Sequence, residues 1–405
     1  MEYKASRYNH HGDIGAGILL YNLATSAVAV LNDYEYRQIA TARFLDANLR
    51  KEAIANGFVI PSTENEVEKV LGLQRMNNFS TRFAGFQILP TTACNARCFY
   101  CYEQGFKPTS MDDKVADAIP GFIGGYLPMV DEIHVTWFGG EPMLGMRRIC
   151  ELSTRLMEMT EEHGVKYDAD IITNATLATK ENVALLARDC HVTQAQITLD
   201  GLAEEHMRRK RYLSEDVTFD GIIGAMDAFV DADVRLLIRL NVDKRNLDGC
   251  LSLIGQLGER YRGNDGVRLY AAPLYSVGDS GGFFGPEDIV SAYKRIFHAL
   301  IDAGFIETVN GLPLNFNNAI CAAQMINNFV IAPSGDVFKC EHLLDYRGEK
   351  VGDVFDGIVF NDAMVRWCSP DVDDACRECS YLPSCQGGCY AAQAMGFGLK
   401  GKCPY

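Results

Sequence analysis

The sequence is short of positive charge, with 38 Lys and Arg against 53 Asp and Glu and a formal charge of −15. A nucleic-acid partner needs a basic surface that neutralises phosphates, so we exclude one and expect a basic peptide to be a better electrostatic match. Long apolar runs are also missing. The longest, 17–31, is interrupted by Asn22, Thr25 and Ser26, and the N-terminus has no apolar signal core. We therefore expect no membrane span, no export and a cytoplasmic location.

Cysteine, in contrast, is abundant. Fourteen cysteines in a chain without an export signal indicate reduced thiolates that bind metal rather than disulfides. Ten of them fall into two groups, and we expect the other four to be small core residues, namely Cys150, Cys190, Cys250 and Cys368. A chain of 405 residues, 48% hydrophobic, can bury more than one core. We expect two or three domains.

The first cysteine group is Cys94-Asn-Ala-Arg-Cys98-Phe-Tyr-Cys101, a CxxxCxxC triplet behind the apolar run 85–90. Three thiolates on one short loop can hold three irons of a [4Fe–4S] cluster and leave the fourth iron open to a non-protein ligand. A structural zinc site is the alternative. It would close with four protein ligands, and no fourth Cys or His follows at such a spacing.

CxxxCxxC with Tyr100 before the third cysteine resembles the signature of the radical S-adenosylmethionine (radical SAM) enzymes. The resemblance implies that the open iron chelates the amino and carboxylate groups of SAM. An electron from the cluster then cleaves SAM to a 5′-deoxyadenosyl radical. It also implies an electron donor such as flavodoxin or ferredoxin.

From Phe86 to Gly304, short apolar segments alternate with amphipathic ones. The alternation predicts parallel strands with helices outside, in an α/β fold. The strand candidates are 86–89, 133–138, 169–173, 196–199, 235–241 and 267–271, and the helices between them include 147–162 and 179–189. Six units are too few for a closed barrel, and the family resemblance implies a partial (β/α)6 barrel. Ligands in such folds bind at the C-terminal ends of the strands.

Motifs that resemble the family's SAM-binding segments follow these strands. Trp137-Phe-Gly-Gly-Glu-Pro142 resembles the motif for the SAM amino group, where glycines admit a ligand and Glu141 pairs with an ammonium. Thr198-Leu-Asp-Gly201 resembles a segment lining the SAM site, and Asn241 resembles a ribose contact. The resemblance places ten residues at SAM: Tyr100, Gly139, Gly140, Glu141, Pro142, Asn174, Thr198, Asp200, Arg211 and Asn241.

Two of these assignments have alternatives. Asn174 lies in a Thr-Asn-Ala-Thr segment, with Ala175 where the family usually has glycine, and it is equally suited to a helix cap or turn. The basic segment 208–211 leaves open whether Arg209, Lys210 or Arg211 binds the SAM carboxylate, and a solvated charge run is the alternative for most of it. We take Arg211 as the candidate. The glycine-rich segment 278–285 predicts a loop at the barrel mouth.

Residues 1–80 predict a separate α+β domain before the barrel at 81–310. Strand-like runs at 17–21 and 27–31 precede helical patterns at 34–55 and 64–73, with another strand at 57–61. This order resembles the winged-helix peptide-recognition domain of many peptide-modifying radical SAM enzymes. A capping or oligomerisation domain is the alternative.

Residues 311–405 hold the second cysteine group, which resembles the SPASM extension with two auxiliary [4Fe–4S] clusters; a zinc ribbon is the alternative. The resemblance implies a complete outer ligand set of Cys376, Cys379, Cys385 and Cys403. It also implies an inner set of Cys321, Cys340 and Cys389. No thiol stands in 314–320, where relatives supply a fourth ligand. We therefore expect an open inner iron able to bind a substrate thiolate, unless Cys368 or Glu341 reaches it. Glu341 is the candidate base, with a surface salt bridge as its alternative role.

These resemblances imply a radical SAM/SPASM maturase that modifies a ribosomally made precursor peptide by hydrogen abstraction and oxidative crosslinking, as a thioether or a carbon–carbon bond. The alternative within enzymes is a sulfatase-maturing, formylglycine-forming enzyme, which the N-terminal domain disfavours. A non-catalytic iron–sulfur electron carrier or a peptide-binding scaffold is the alternative outside them. SAM cleavage separates these classes.

Overall fold

The computed structural model describes residues 2–274, 282–307 and 321–395. It divides the chain into two compact units. The described residues of the first are 2–80, 321–325 and 368–390; those of the second are 81–274, 282–307, 326–367 and 391–395. Among the helices within these ranges, none combines the length and the apolar composition that a transmembrane segment needs.

The strands of the described chain are β1 Tyr3–Ala5, β2 Asn9–Asp13, β3 Ile18–Asn22, β4 Val28–Leu31, β5 Val59–Pro61, β6 Phe83–Thr91, β7 Glu132–Gly139, β8 Lys166–Thr173, β9 Val192–Leu199, β10 Arg235–Val242, β11 Val267–Pro273, β12 Asn328–Ile331, β13 Asp336–Phe338, β14 Gly352–Asp353 and β15 Gly357–Ile358. The helices are α1 Asp33–Thr41, α2 Ala47–Ala55, α3 Glu66–Asn78, α4 Asp113–Gly124, α5 Met146–Glu162, α6 Lys180–Asp189, α7 Ala203–Lys210, α8 Phe219–Asp231, α9 Leu247–Tyr261, α10 Pro286–Asp302, α11 Asp362–Cys368, α12 Asp374–Arg377, α13 Leu382–Cys385 and α14 Tyr390–Ala394.

The second unit is built on six parallel strands in the order β11-β10-β9-β8-β7-β6. All six strand candidates are confirmed, and the α/β barrel fold is the expected one. The sheet continues beyond β6 through β12, which pairs with β6 in parallel, and then through the antiparallel β13, β14 and β15. Residues from the predicted C-terminal domain therefore extend the barrel sheet.

Alternation along the strands separates the two faces of this sheet. On β10, Leu236, Ile238 and Leu240 are fully buried, whereas the residues between them are less so. Helices α8 and α9 pack on β10, so apolar side chains of one parity meet the helices. The other parity, which includes Asn241, forms the inner face of the barrel.

The first unit contains the antiparallel sheet β2-β3-β4 and the pair β1-β5, with α1, α2 and α3. The strands expected at 17–21 and 27–31 are confirmed, but the single helical pattern at 34–55 is wrong. The chain breaks there because Ala42 adopts a left-handed conformation (φ 51°) and Asp46 caps α2, accepting from the amides of Asn48 and Leu49. An apolar cluster joins Tyr8 and Leu71 to Leu382, with Cys376 against it. Segment 368–390 thus shares a core with the N-terminal residues.

Candidate functional site

The CxxxCxxC loop follows β6 in the second unit, and its three cysteines are half-buried. Burial raises the pKa of the Cys94 thiol to about 11 and that of Cys101 to about 12. It also raises the pKa of Cys98, an effect that the Lys210 charge opposes. Thiols of this kind ionise readily only when a metal replaces the proton. Three thiols on one loop are the donor set that a [4Fe–4S] cluster with one open iron takes.

The Gly-Gly-Glu-Pro turn lies directly against this loop. The amide of Gly140 donates to the Thr91 carbonyl (3.2 Å) and that of Glu141 to the Ala93 carbonyl (2.9 Å). A Cβ on Gly139 would lie 2.2 Å from Thr91 O. The glycines are thus required by the approach of the cluster loop, a contact that the sequence did not indicate. Pro142 is buried and begins the short turn before α5.

Glu141 is fully buried and organises the ends of β7 and β8. Its carboxylate accepts from the Thr173 hydroxyl (2.7 Å), the Asn174 amide (2.8 Å) and the Met143 amide (3.1 Å). Burial raises the pKa of this carboxyl, and the three hydrogen bonds oppose the rise. A buried carboxylate with an ordered donor shell is a fixed negative charge at the barrel mouth.

Asn174 connects the end of β8 to the cluster loop. Its side-chain amide donates to Asn95 Oδ1 (2.8 Å) and lies 4.0 Å from Cys94 Sγ, while its oxygen accepts from the Thr176 amide (3.0 Å). Asn174 is therefore a turn residue and a loop contact at once. Ala175 follows in a left-handed conformation (φ 64°), which explains why glycine suits this position.

The structure brings Tyr100, Asp200 and Asn241 together from the cluster loop and the ends of β9 and β10. The Tyr100 hydroxyl lies 2.7 and 2.8 Å from the two oxygens of Asp200, and Asn241 Nδ2 donates to both partners (3.1 and 3.3 Å). Asp200 is fully buried. It also has two cations nearby, at 3.8 Å from Arg209 Nε and 3.9 Å from Lys210 Nζ.

The three basic residues 209–211 lie in different environments. Arg211 is exposed and left-handed (φ 51°) at the end of α7, and its carbonyl accepts from the Arg97 amide. Lys210 is 3% exposed, and its ammonium donates to Thr198 Oγ1 at 2.6 Å. Arg209 is buried against Asp243 (3.0 Å). Of the three basic candidates for the SAM carboxylate, Lys210 is the one beside Thr198 and Cys98.

Glu341 follows Cys340 in the second unit and is partly exposed, 3.8 Å from His342 Nε2. The His342 ring lies against the Tyr102 ring, with centroids 4.0 Å apart and the planes tilted by 31°. Burial, followed by the Glu341 charge, raises the pKa of Glu103 to about 7. The candidate base thus lies near residues that directly follow the CxxxCxxC motif. Tyr102, Glu103 and His342 carried no sequence signal, since no motif of the sequence includes them.

In the first unit, the C-terminal cysteines stand on tight turns around α12 and α13. The Cys379 amide donates to the Cys376 carbonyl, and the Gly388 amide donates to the Cys385 carbonyl. Between Cys385 and Cys389, three successive residues have positive φ (54°, 90° and 94°). Cys321 is exposed in the same unit and Cys340 belongs to the second. Cys403, the segment 314–320 and residues 278–281 of the predicted loop 278–285 lie outside the described residues.

Residues 88–248 match the family model of the Radical SAM superfamily. The chain is 22% identical over 183 residues to a probable GTP 3′,8-cyclase of Methanocaldococcus jannaschii, covering 45% of this chain and 58% of that protein. It thus spans little more than half the length of this curated relative.

Solved structures share the fold. anSMEcpe with bound AdoMet and Kp18Cys peptide is similar at TM-score 0.59 and 19% identity, over 76% of this chain and 90% of that one. Two structures of SuiB from Streptococcus suis, each 16% identical in sequence to this chain, are also similar. Bound to S-adenosylmethionine it has TM-score 0.55 and covers 97% of this chain and 96% of SuiB; bound to precursor peptide SuiA it has TM-score 0.52, with 97% of each chain covered.

The motif match and the site geometry agree. The family model spans the cluster loop, the Glu141 turn and the Asp200 network, which the barrel brings to one end of its sheet. The part of the chain that holds this site is thus the part that is similar to the radical SAM superfamily.

Proposed function

We propose that this radical SAM enzyme modifies a ribosomally made precursor peptide by hydrogen abstraction followed by oxidative crosslinking, through a thioether or a carbon–carbon bond. The observation that carries the proposal is the similarity to SuiB bound to its precursor peptide SuiA, which extends over 97% of this chain and includes both compact units. When bound, the [4Fe–4S] cluster and SAM supply the 5′-deoxyadenosyl radical that abstracts the hydrogen.

In this proposal the residues of the second unit divide the work of holding SAM. Cys94, Cys98 and Cys101 hold the cluster, and Lys210 pairs with the SAM carboxylate. Its ammonium donates one hydrogen bond to Thr198 Oγ1, and its other N–H groups can donate to the SAM carboxylate. The inner-face network of Tyr100, Asp200 and Asn241 fixes the floor of the site. Glu341 takes a substrate proton, a role that its position beside the cluster-loop residues supports.

The C-terminal cysteines are proposed to hold two auxiliary [4Fe–4S] clusters in a SPASM-type arrangement. Cys376, Cys379, Cys385 and Cys403 form one ligand set, and Cys321, Cys340 and Cys389 form the other. The tight turns at Cys376–Cys379 and Cys385–Cys389 support this reading because they crowd several thiols into a short stretch. Two auxiliary clusters suit a net two-electron oxidation, since they accept the electron released when a substrate radical is oxidised.

The first test is SAM cleavage. Under strict anaerobiosis with a reductant, the enzyme should form 5′-deoxyadenosine, and a variant with Cys94, Cys98 and Cys101 all changed to Ala should form none. Cys150→Ala, which alters a cysteine on α5 outside the cluster loop, is the matched control and should keep activity. Nucleoside formation by the triple variant would remove the proposal, and none by the wild type would favour an electron carrier.

The second test is the product. Mass spectrometry of a Cys-containing precursor peptide after anaerobic incubation should show the loss of two hydrogens per crosslink. Replacement of the cysteine side chain by an aldehyde would instead assign formylglycine formation, which the similarity to anSMEcpe with its bound Kp18Cys peptide keeps as the second candidate.

A further inference from the structure

The inner face of the barrel carries a half-buried arginine, Arg239, on β10. It has the same parity as Asn241, whose side chain contacts Tyr100 and Asp200. Arg239 is therefore on the face that holds the SAM-site network. Arg239 precedes Asn241 by two positions, so it lies about 7 Å deeper along the strand. A molecule below SAM inside the barrel would meet this guanidinium.

Polar side chains surround Arg239. Its Nε donates to Asn241 Oδ1 at 3.1 Å. The strand register places it opposite Thr198 of β9 and Tyr270 of β11. The Tyr270 hydroxyl donates to Gln196 Oε1 at 3.0 Å, which leaves the Gln196 amide group able to donate. Hydrogen-bond donors thus cluster on this part of the inner face.

The charge of Arg239 lacks a carboxylate partner within the residues that the structure describes. The other buried cations of the site are matched: Arg209 pairs with Asp243 at 3.0 Å, and Lys210 lies 3.9 Å from Asp200. A half-buried guanidinium has lost part of its hydration, and here no ion pair compensates for that loss. In a chain with 53 acidic residues against 38 basic ones, this local absence points to an anion that arrives with a ligand.

We propose that Arg239 binds a carboxylate of the peptide substrate and thereby holds the residue to be modified beneath SAM. Two sources share this chemistry, an Asp or Glu side chain and the C-terminal carboxylate of the peptide. Guanidinium recognises a carboxylate through paired N–H donors, which fixes orientation as well as charge. The inference rests on the proposed function in one respect, that the substrate is a peptide.

The test measures binding rather than turnover. SAM-loaded holoenzyme is titrated anaerobically with three probes, Ac-Gly-Glu-Gly-NH2, its neutral Gln analogue, and the Gln analogue with a free C-terminal carboxylate. We expect at least one carboxylate probe to bind about tenfold more tightly than the neutral peptide, and the probe that does so identifies the source. Equal affinity of all three for the wild type would overturn the proposal without any variant.

Variants locate the effect. Arg239→Gln should abolish the preference, Arg239→Lys should keep part of it, and Arg235→Gln is the matched control because it removes an exposed arginine of the same strand and parity. A preference that survives in Arg239→Gln overturns the proposal, as does a loss of SAM affinity, which would assign Arg239 to SAM. A binding preference without a modified peptide would instead count against the proposed function alone.

Discussion

Replacing Lys210 by Met tests which basic side chain holds the SAM carboxylate. Met keeps the length of the side chain and removes the ammonium that lies 2.6 Å from Thr198 Oγ1 and 3.9 Å from Asp200 Oδ1. Asp200 still accepts from Tyr100 and Asn241, so we expect the variant to fold. Besides the hydrogen bond to Thr198, the variant loses the ammonium that we propose pairs with the SAM carboxylate.

The magnitude follows from the burial of the ammonium. Two unit charges about 4 Å apart attract by about 4 kcal/mol at an effective dielectric constant near 20, and desolvation offsets much of this attraction. A charged hydrogen bond contributes about 1.5–3 kcal/mol net, which corresponds to a roughly 10- to 100-fold weaker Kd for SAM. Arg211→Met changes an exposed neighbour and should alter the Kd by less than about twofold.

Equilibrium dialysis of SAM against anaerobically reconstituted protein measures both constants, and iron content must match the wild type in each variant. The assignment to Lys210 is refuted if Arg211→Met weakens SAM binding more than Lys210→Met does. It is equally refuted if neither substitution changes the Kd.

Three further predictions concern the frame of the site. Arg209→Met should lower the free energy of unfolding by about 3–5 kcal/mol because it leaves buried Asp243 without its cation. Arg208→Met, which breaks the pair of a solvent-exposed arginine with Glu205, should leave the free energy of unfolding nearly unchanged. Urea unfolding of both variants measures the difference. Burial, followed by the Lys210 charge, lowers the pKa of His206 well below its usual value. As the pH falls below about 6.5, the unfolded chain therefore binds a proton at His206 that the folded chain does not. The free energy of unfolding should then fall by up to about 1.4 kcal/mol per pH unit. His206→Asn, which keeps an acceptor for the Asp200 amide, should flatten that decline in urea titrations of cluster-free protein, and an unchanged slope would contradict the assignment. Gly140→Ala should lower bound iron, because the new Cβ would lie 2.4 Å from Ala93 O, whereas Gly224→Ala in α8 meets no atom within 4 Å and should retain iron and stabilise the fold by about 0.5–1 kcal/mol.

The sequence predicted the six barrel strands because alternation of apolar segments with amphipathic helices leaves few other folds. It also placed the motifs at one end of the sheet, since parallel strands share a C-terminal edge. Both follow from local patterns. The helix break at Ala42 did not, because a left-handed alanine has no sequence signature of the kind glycine provides.

The sequence identified residues of the site more readily than the contacts between them. Asp200 was identified from its motif, but its partners Tyr100, Arg209 and Lys210 come from two other segments, the cluster loop and α7, which only the folded partial barrel brings to the end of β9. Glu141 was expected to meet an ammonium, but its three hydrogen-bond donors, from Thr173, Asn174 and Met143, were not predicted. Arg239 belongs to no motif at all. Only the register of β9, β10 and β11 places it on the inner face.

Charge balance within the site leads to a last prediction. Three buried carboxylates, on Glu141, Asp200 and Asp243, face two buried cations, on Arg209 and Lys210, so these five side chains sum to −1. SAM carries an ammonium, a carboxylate and a sulfonium, and its net charge of +1 complements this sum. S-adenosylhomocysteine lacks the sulfonium charge, and we expect it to bind about tenfold more weakly in dialysis with unreduced enzyme. Asp200→Asn should narrow that difference by removing one negative charge. Equal affinities of the two ligands for the wild type would show that the buried carboxylates serve the fold and contribute nothing to the choice of ligand.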